Sequence, residues 1–201
     1  MTTQAAHHEE YPDTHHDTYS KTILGFWIFL VTDFLMFGTV FATYAVLKNN
    51  TFGGPGASEL FHIPFNLYES IVMLLLSFVA GVGATYAHKG SKGGTVLLFW
   101  IAFLLGIIMA WMEYTEFSRL CASGNSWQRN AFLSSYFTLV GTHFFHLLFG
   151  ILWSVVLLVP VMKYGLTETY VKRLTCLKMF WMFLNVVWIF IFAFVYLMGV
   201  V

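Results

Sequence analysis

The residues most able to do chemistry are the ionisable ones set inside long apolar runs. Asp33 lies about ten residues into a segment, 22–47, that is otherwise uncharged. At the helical rise that is roughly 15 Å deep. An aspartate at the centre of a membrane-spanning helix costs about 2.5–3.5 kcal/mol, so Asp33 is expected to be protonated or tightly hydrogen-bonded rather than a bare carboxylate. Two roles suit it: a proton relay or inhibitor-reactive carboxyl, or a buried polar anchor between helices. His143 and His146, three residues apart, fall about 60° apart on a helix and one turn along it. Zinc needs three or four ligands, and no Cys or carboxylate stands near this pair in sequence. Haem is poorly served too. Two histidines on one helix cannot approach one iron from opposite faces, and no other apolar run carries a central His.

The remaining polar residues read more quietly. Ser135, Thr138, Thr142, His146, Gly150 and Trp153 make a small and polar stripe of the kind that faces a neighbouring helix. Glu69, shortly after Pro64, suits the positive end of a helix dipole and reads as a cap near the interface. Glu113 and Glu116, followed by Arg119, read as a solvated or headgroup-facing helix end. Trp181, Asn185, Trp188, Phe192 and Tyr196 form one aromatic face for core packing, with Asn185 bonding across to a neighbouring helix. Ser77 and Gly81 form a small-xxx-small pattern that suggests a close helix contact. Cys121 and Cys176 fall on opposite sides and cannot pair, because a disulfide needs Cα atoms within about 7 Å. No phosphate-binding Gly-rich loop and no nucleophile elbow occur.

The elements that must position these groups are set by composition. Of 201 residues 58% are hydrophobic and only 10% charged, with mean hydropathy +0.72. An average soluble domain carries roughly 25% charged residues, so this chain cannot cover itself with polar surface. Ten Lys+Arg balance ten Asp+Glu, which leaves no basic excess for nucleic acid. Residues 70–88, 93–112, 130–162 and 179–201 contain no Asp, Glu, Lys or Arg. A helix needs about 20 apolar residues to cross a bilayer, and these runs show no strand-like alternation. The expected fold is all-α and membrane-integral, one domain over 21–201 with spans near 23–47, 65–87, 95–116, 132–160 and 177–199. Pro64 suits a helix start and Pro160 a helix end. Lys21, Lys89, Lys92, Lys163, Lys172, Arg173 and Lys178 share one face, against Lys48, Arg119 and Arg129 on the other. That excess puts the N-terminus in the cytoplasm and the C-terminus in the periplasm. Residues 1–20, with His7, His8, His15 and His16 among acids, read as a solvated, disordered tail and not a signal peptide.

The chain carries, in order, Gly25-Phe-Trp-Ile28 leading to Asp33, Phe41-Ala-Thr-Tyr-Ala-Val-Leu47, Gly53-Gly-Pro55 and Met112-Glu-Tyr-Thr-Glu-Phe117. Val140-Gly-Thr-His-Phe-Phe-His146, Phe180-Trp-Met-Phe-Leu-Asn-Val-Val-Trp188 and Tyr196-Leu-Met-Gly199 complete the series. Together these segments resemble subunit III of the haem–copper terminal oxidases, and most of all its quinol-oxidase branch. Five spans, rather than seven, also look like that branch. The resemblance implies a V-shaped bundle and an accessory, non-redox role in a bacterial inner-membrane ubiquinol oxidase. It implies haem and copper in subunit I, none held by this chain, and contacts with subunits I, II and IV and with phospholipids. It also implies support of subunit I stability and of proton uptake, and it places Asp33 at the family's carbodiimide-reactive carboxyl. Met182 and Asn185 stand where the family usually has His and Asp, and Phe144 where Gly is common. The missing His–Asp pair implies that this element is not needed for proton transfer here. The alternatives are a cytochrome c oxidase subunit III or a stand-alone proton-coupled transporter. The latter expects matched Gly/Pro helix breaks in two halves, and the sequence has none.

Overall fold

The computed structural model describes residues 17–200. The His-rich segment 1–16 lies outside the described residues, and with it the expectations for His7, His8, His15 and His16. The chain forms α1 (Asp17–Leu47), α2 (Ala57–Leu60), α3 (Ile63–His88), α4 (Lys92–Ala122), α5 (Ala131–Tyr164) and α6 (Glu168–Ile191). A π-helical turn, Phe192–Leu197, and α7 (Met198–Val200) continue α6 to the last described residue. No strand occurs among the described residues. Five segments are long and apolar enough to cross a membrane: Lys21–Leu47, Ile63–His88, Lys92–Ala122, Ala131–Tyr164 and Glu168–Leu197. Helices satisfy every backbone group internally, which a spanning segment needs in lipid.

Several expected boundaries move. Residues 17–20, assigned to the tail, already belong to α1. The third span does not end at 116; α4 runs on to Ala122. Pro160 does not close α5, which continues to Tyr164 and stops at Gly165, with φ 86°. Proline removes one helical hydrogen bond, and near a membrane surface the freed carbonyl has water within reach. Pro64 does sit in the first turn of α3, where its missing N–H costs nothing. Asn130 caps α5 by accepting from the Leu133 N–H at 2.7 Å.

The bundle is built on α3 and α4, joined by the hairpin at Gly90. Met73, Leu76, Ser77, Ala80, Gly83, Ala84 and Ala87 form the buried stripe of α3. Gly81 lies off that stripe, with open space where a Cβ would stand. Gly83 makes the close contact instead, where a Cβ would come within 3.1 Å of the Phe99 ring. The Ser77/Gly81 expectation is therefore corrected by two positions: the stripe follows steps of three and four. α1 is peripheral, laid against α5 and α6. Its fully buried side chains, Leu30, Phe37 and Tyr44, recur every seventh residue, the repeat of a narrow helix–helix seam.

The end of α1, the segment before α3, the α4–α5 loop and the C-terminal turn gather on one face of the bundle, the C-terminal face. The Phe132 N–H donates to Asn50 O at 3.3 Å and Asn130 Nδ2 donates to Thr51 O at 3.3 Å. Arg119 Nη2 donates to Leu60 O at 3.1 Å. These bonds tie the loops to the ends of α4 and α5.

Candidate functional site

Four elements bring their carboxyl, amide, imidazole and phenol groups to one buried spot. Glu113 is 0% and Glu116 2% exposed, so the expectation of a solvated helix end is wrong for both. Being three apart they share one side of α4, and the extra turns to Ala122 keep that side against α3 and α5. Glu69 is also fully buried, in the second turn of α3. It is a member of the core, not an interfacial cap. One amide links the two helices: Asn66 Nδ2 donates to Glu69 Oε2 at 3.2 Å and to Glu116 Oε1 and Oε2 at 3.1 and 3.3 Å. Tyr196 donates to Glu116 Oε2 at 2.8 Å, and Tyr136 lies 3.1 Å from the Tyr196 oxygen. Since Tyr196 spends its hydrogen on Glu116, Tyr136 is the donor in that second bond.

Arg119 is the nearby cation, 4.0 Å from Glu116 Oε1, with 43% of its side chain exposed. Three acceptors of the cluster, Asn66 Oδ1, Glu69 Oε1 and Glu113 Oε2, are buried without a hydrogen-bond partner. Buried polar atoms are normally paired, so these three are a feature of the site.

His143 and His146 divide. His143 is fully buried; its Nδ1 lies 2.8 Å from Glu113 Oε1 and its Nε2 3.4 Å from Leu184 O. A carbonyl only accepts, so Nε2 carries a hydrogen and the Nδ1–Glu113 contact shares one more. His146 Nδ1 lies 2.8 Å from Thr142 O, so it too is a donor. Its Nε2 faces Asp33 Oδ2 at 3.7 Å, an ion-pair distance rather than a hydrogen bond. Asp33 is thus a partly buried group between α1 and α5, as an inter-helix anchor would be, and Oδ2 has no hydrogen-bond partner.

Other expectations meet mixed outcomes. Trp181, Trp188 and Tyr196 are wholly buried, as the aromatic face of α6 predicts. Asn185 does not bond across: its Oδ1 is buried and unpaired. Trp188 makes the cross-helix bond instead, Nε1 donating to Ser70 Oγ at 3.0 Å. In the stripe of α5, Ser135, Thr138 and Thr142 spend their hydroxyls on carbonyls of their own helix. Met182 is exposed. Cys121 and Cys176 are both free. Asn66, Tyr136 and Ser70 were missed. Asn66 stands one turn before Glu69, a spacing the sequence displays; Tyr136 and Ser70 carry no comparable signal.

With this geometry in view, the profile of the family described as cytochrome c oxidase subunit III matches residues 4–200. The chain belongs to the oxidase subunit III family. It is 45% identical over 187 residues to the cytochrome bo(3) ubiquinol oxidase subunit 3 of Pseudomonas aeruginosa, covering 93% of this chain and 90% of the relative. It is 39% identical over 183 residues to the quinol oxidase subunit 3 of Bacillus subtilis, covering 91% and 90%. It is 40% identical over 179 residues to the cytochrome c oxidase subunit 3 of Bacillus sp. PS3, covering 89% and 86%. This subunit III is therefore a multi-pass bacterial membrane protein of a haem–copper oxidase that works with other oxidase subunits. Both ring nitrogens of His143 are engaged within the protein. Among the described residues no three His, Cys, Asp or Glu side chains are grouped to hold a metal.

Proposed function

We propose that this chain is the accessory, non-redox subunit of a bo-type ubiquinol oxidase in the bacterial inner membrane. The complex oxidises ubiquinol and reduces oxygen to water. Haem and copper reside in subunit I, which this chain contacts directly and stabilises; subunits II and IV complete the assembly, and nucleic acid has no part. The observation that carries the reading is the 45% identity to a bo(3) ubiquinol oxidase subunit 3 across nearly both chains. The N-terminus lies in the cytoplasm and the C-terminus in the periplasm, supported by the Lys/Arg excess on the N-terminal face. A C-terminal reporter active in the periplasm is expected; activity confined to the cytoplasm overturns that orientation.

Phospholipids are held in the apolar grooves between α1 and α6. One groove is lined by Phe34, Phe41, Phe190 and Phe194 and reaches Lys48; the other is lined by Trp27, Val31, Met182 and Val186 and reaches Lys178. Aromatic walls suit acyl chains, and a lysine at each end suits a headgroup phosphate. Support of proton uptake by subunit I is the remaining part of the role, with Asp33 as its candidate group. The test is the whole complex purified without this chain. Haem spectra are expected to persist while stability or sustained turnover falls. Loss of every haem signal at normal subunit I levels contradicts the division of labour. A cytochrome c oxidase is the second reading, favoured by the Bacillus sp. PS3 relative. Assay of the complex with ubiquinol and with cytochrome c separates the two.

A further inference from the structure

We propose that Glu69 and Glu116, joined through Asn66, form a proton-binding site that exchanges with the C-terminal face of the membrane through a pocket at Arg119. The inference stands on this chain's own geometry and holds whichever electron donor the oxidase uses. Its ligand is a proton delivered from water. Uptake turns one carboxylate into a carboxylic acid and release restores it, so no oxidant or reductant is involved.

Three observations carry it. The first is the count of charges. The groups facing the pair are Glu113 and Arg119 from α4, Tyr136 and His143 from α5, and Tyr196 from the π-helical turn. His62, before α3, lines the pocket. His143 and Glu113 form a self-contained pair at 2.8 Å. That leaves two carboxyls on one amide nitrogen against a single arginine, itself 4.0 Å away and partly spent on Leu60 O. Two carboxylates held that close in an apolar core cannot both stay charged at low cost. One bound proton balances the set.

The second is the pattern of unpaired atoms. Glu69 Oε1 and Asn66 Oδ1 are both buried acceptors without a donor, on side chains that are 0% exposed. A hydrogen on Glu69 turns one unpaired acceptor into a donor. Glu116 has the opposite surroundings: it receives Asn66, Tyr196 and the charge of Arg119. The bound proton is therefore placed on Glu69. The third is access. Glu116 lines a pocket with His62, Phe65, Thr115 and Arg119, at the end of α4. The cluster thus borders a surface pocket at Glu116.

Infrared spectroscopy of the intact oxidase complex in lipid nanodiscs tests this. The wild type is expected to show a protonated carboxylic C=O stretch that shifts on transfer to D2O and is lost in Glu69→Gln. Thr115→Trp, which fills the pocket mouth, is expected to slow the exchange several-fold while leaving the band in place. Should Glu69→Gln fail to assemble, Glu69→Asp gives the assignment instead, its carboxylic C=O band changing frequency rather than vanishing. Absence of any protonated glutamate band overturns the proposal. So does a band that survives Glu69→Gln, one that does not exchange in D2O, or exchange unaffected by Thr115→Trp.

Discussion

At the scale of single residues, the two histidines of α5 predict unequal costs. Glu113 and His143 are both wholly buried and bonded at 2.8 Å. Removing one partner of such a pair leaves a buried polar group stranded, about 3–5 kcal/mol by the behaviour of other buried pairs. Glu113→Ala and His143→Ala are each expected to lower unfolding stability of the detergent-solubilised complex by that order. The double variant is expected to cost much less than the sum, because the second change removes the group the first left unpaired. Asp33 and His146 lie 3.7 Å apart and keep 14% and 17% of their side chains exposed. Asp33→Asn should therefore cost no more than about 1.7 kcal/mol in the same assay, the upper end for polar contacts between membrane helices. Equal losses for Asp33→Asn and Glu113→Ala would show that burial does not separate the two pairs.

At the scale of elements, the contact between α5 and α6 depends on a glycine. A Cβ at Gly150 would come within 2.8 Å of the Trp181 ring and 3.0 Å of the Phe180 ring, both of them fully buried. Overpacking of this kind costs about 1–3 kcal/mol. Gly150→Ala is accordingly expected to lower the melting temperature of the complex. Gly141→Ala, on the same helix with open space at its Cβ, is expected to be neutral or slightly stabilising. The Trp188–Ser70 bond ties α6 to α3. Polar bonds between helices in lipid average about 0.6 kcal/mol and reach about 1.7. Trp188→Phe should fall in that range by denaturant titration, well below the loss from breaking Glu113–His143. The π-helical turn matters differently. π turns recur at functional sites, and this one carries Tyr196, whose hydroxyl fixes Glu116.

At the scale of the whole molecule, a five-helix subunit whose polar centre is internal can lend stability to neighbours without handling electrons. The outer surface of α1 is almost wholly apolar and exposed in the isolated chain. Lipid or another subunit must cover it. Expressed alone, this chain is expected to insert but to be less resistant to heat in detergent than within the complex, measurable by size-exclusion after heating. A melting point equal in both states would deny the partner any stabilising part.

Sequence by itself determined the class, the number of spans and the family. Runs of 19 or more uncharged residues leave a chain no other way to satisfy its backbone in lipid, and the motif order from Gly25 to Gly199 is specific in sum. It also set Asp33 and His146 inside long apolar runs. Only the tertiary structure decided which side of each helix looks inward. In water the polar side of a helix marks its exposed face, but inside a bilayer lipid and protein interior are alike apolar. Nothing in the spacing of Glu113, Glu116 and Arg119 could therefore say that both acids turn to the core while Arg119 stays half outside. Asn66 meeting Glu116, and Tyr196 reaching it from the far end of the chain, are encounters between residues 50 and 80 positions apart. Folding the helices against one another creates them.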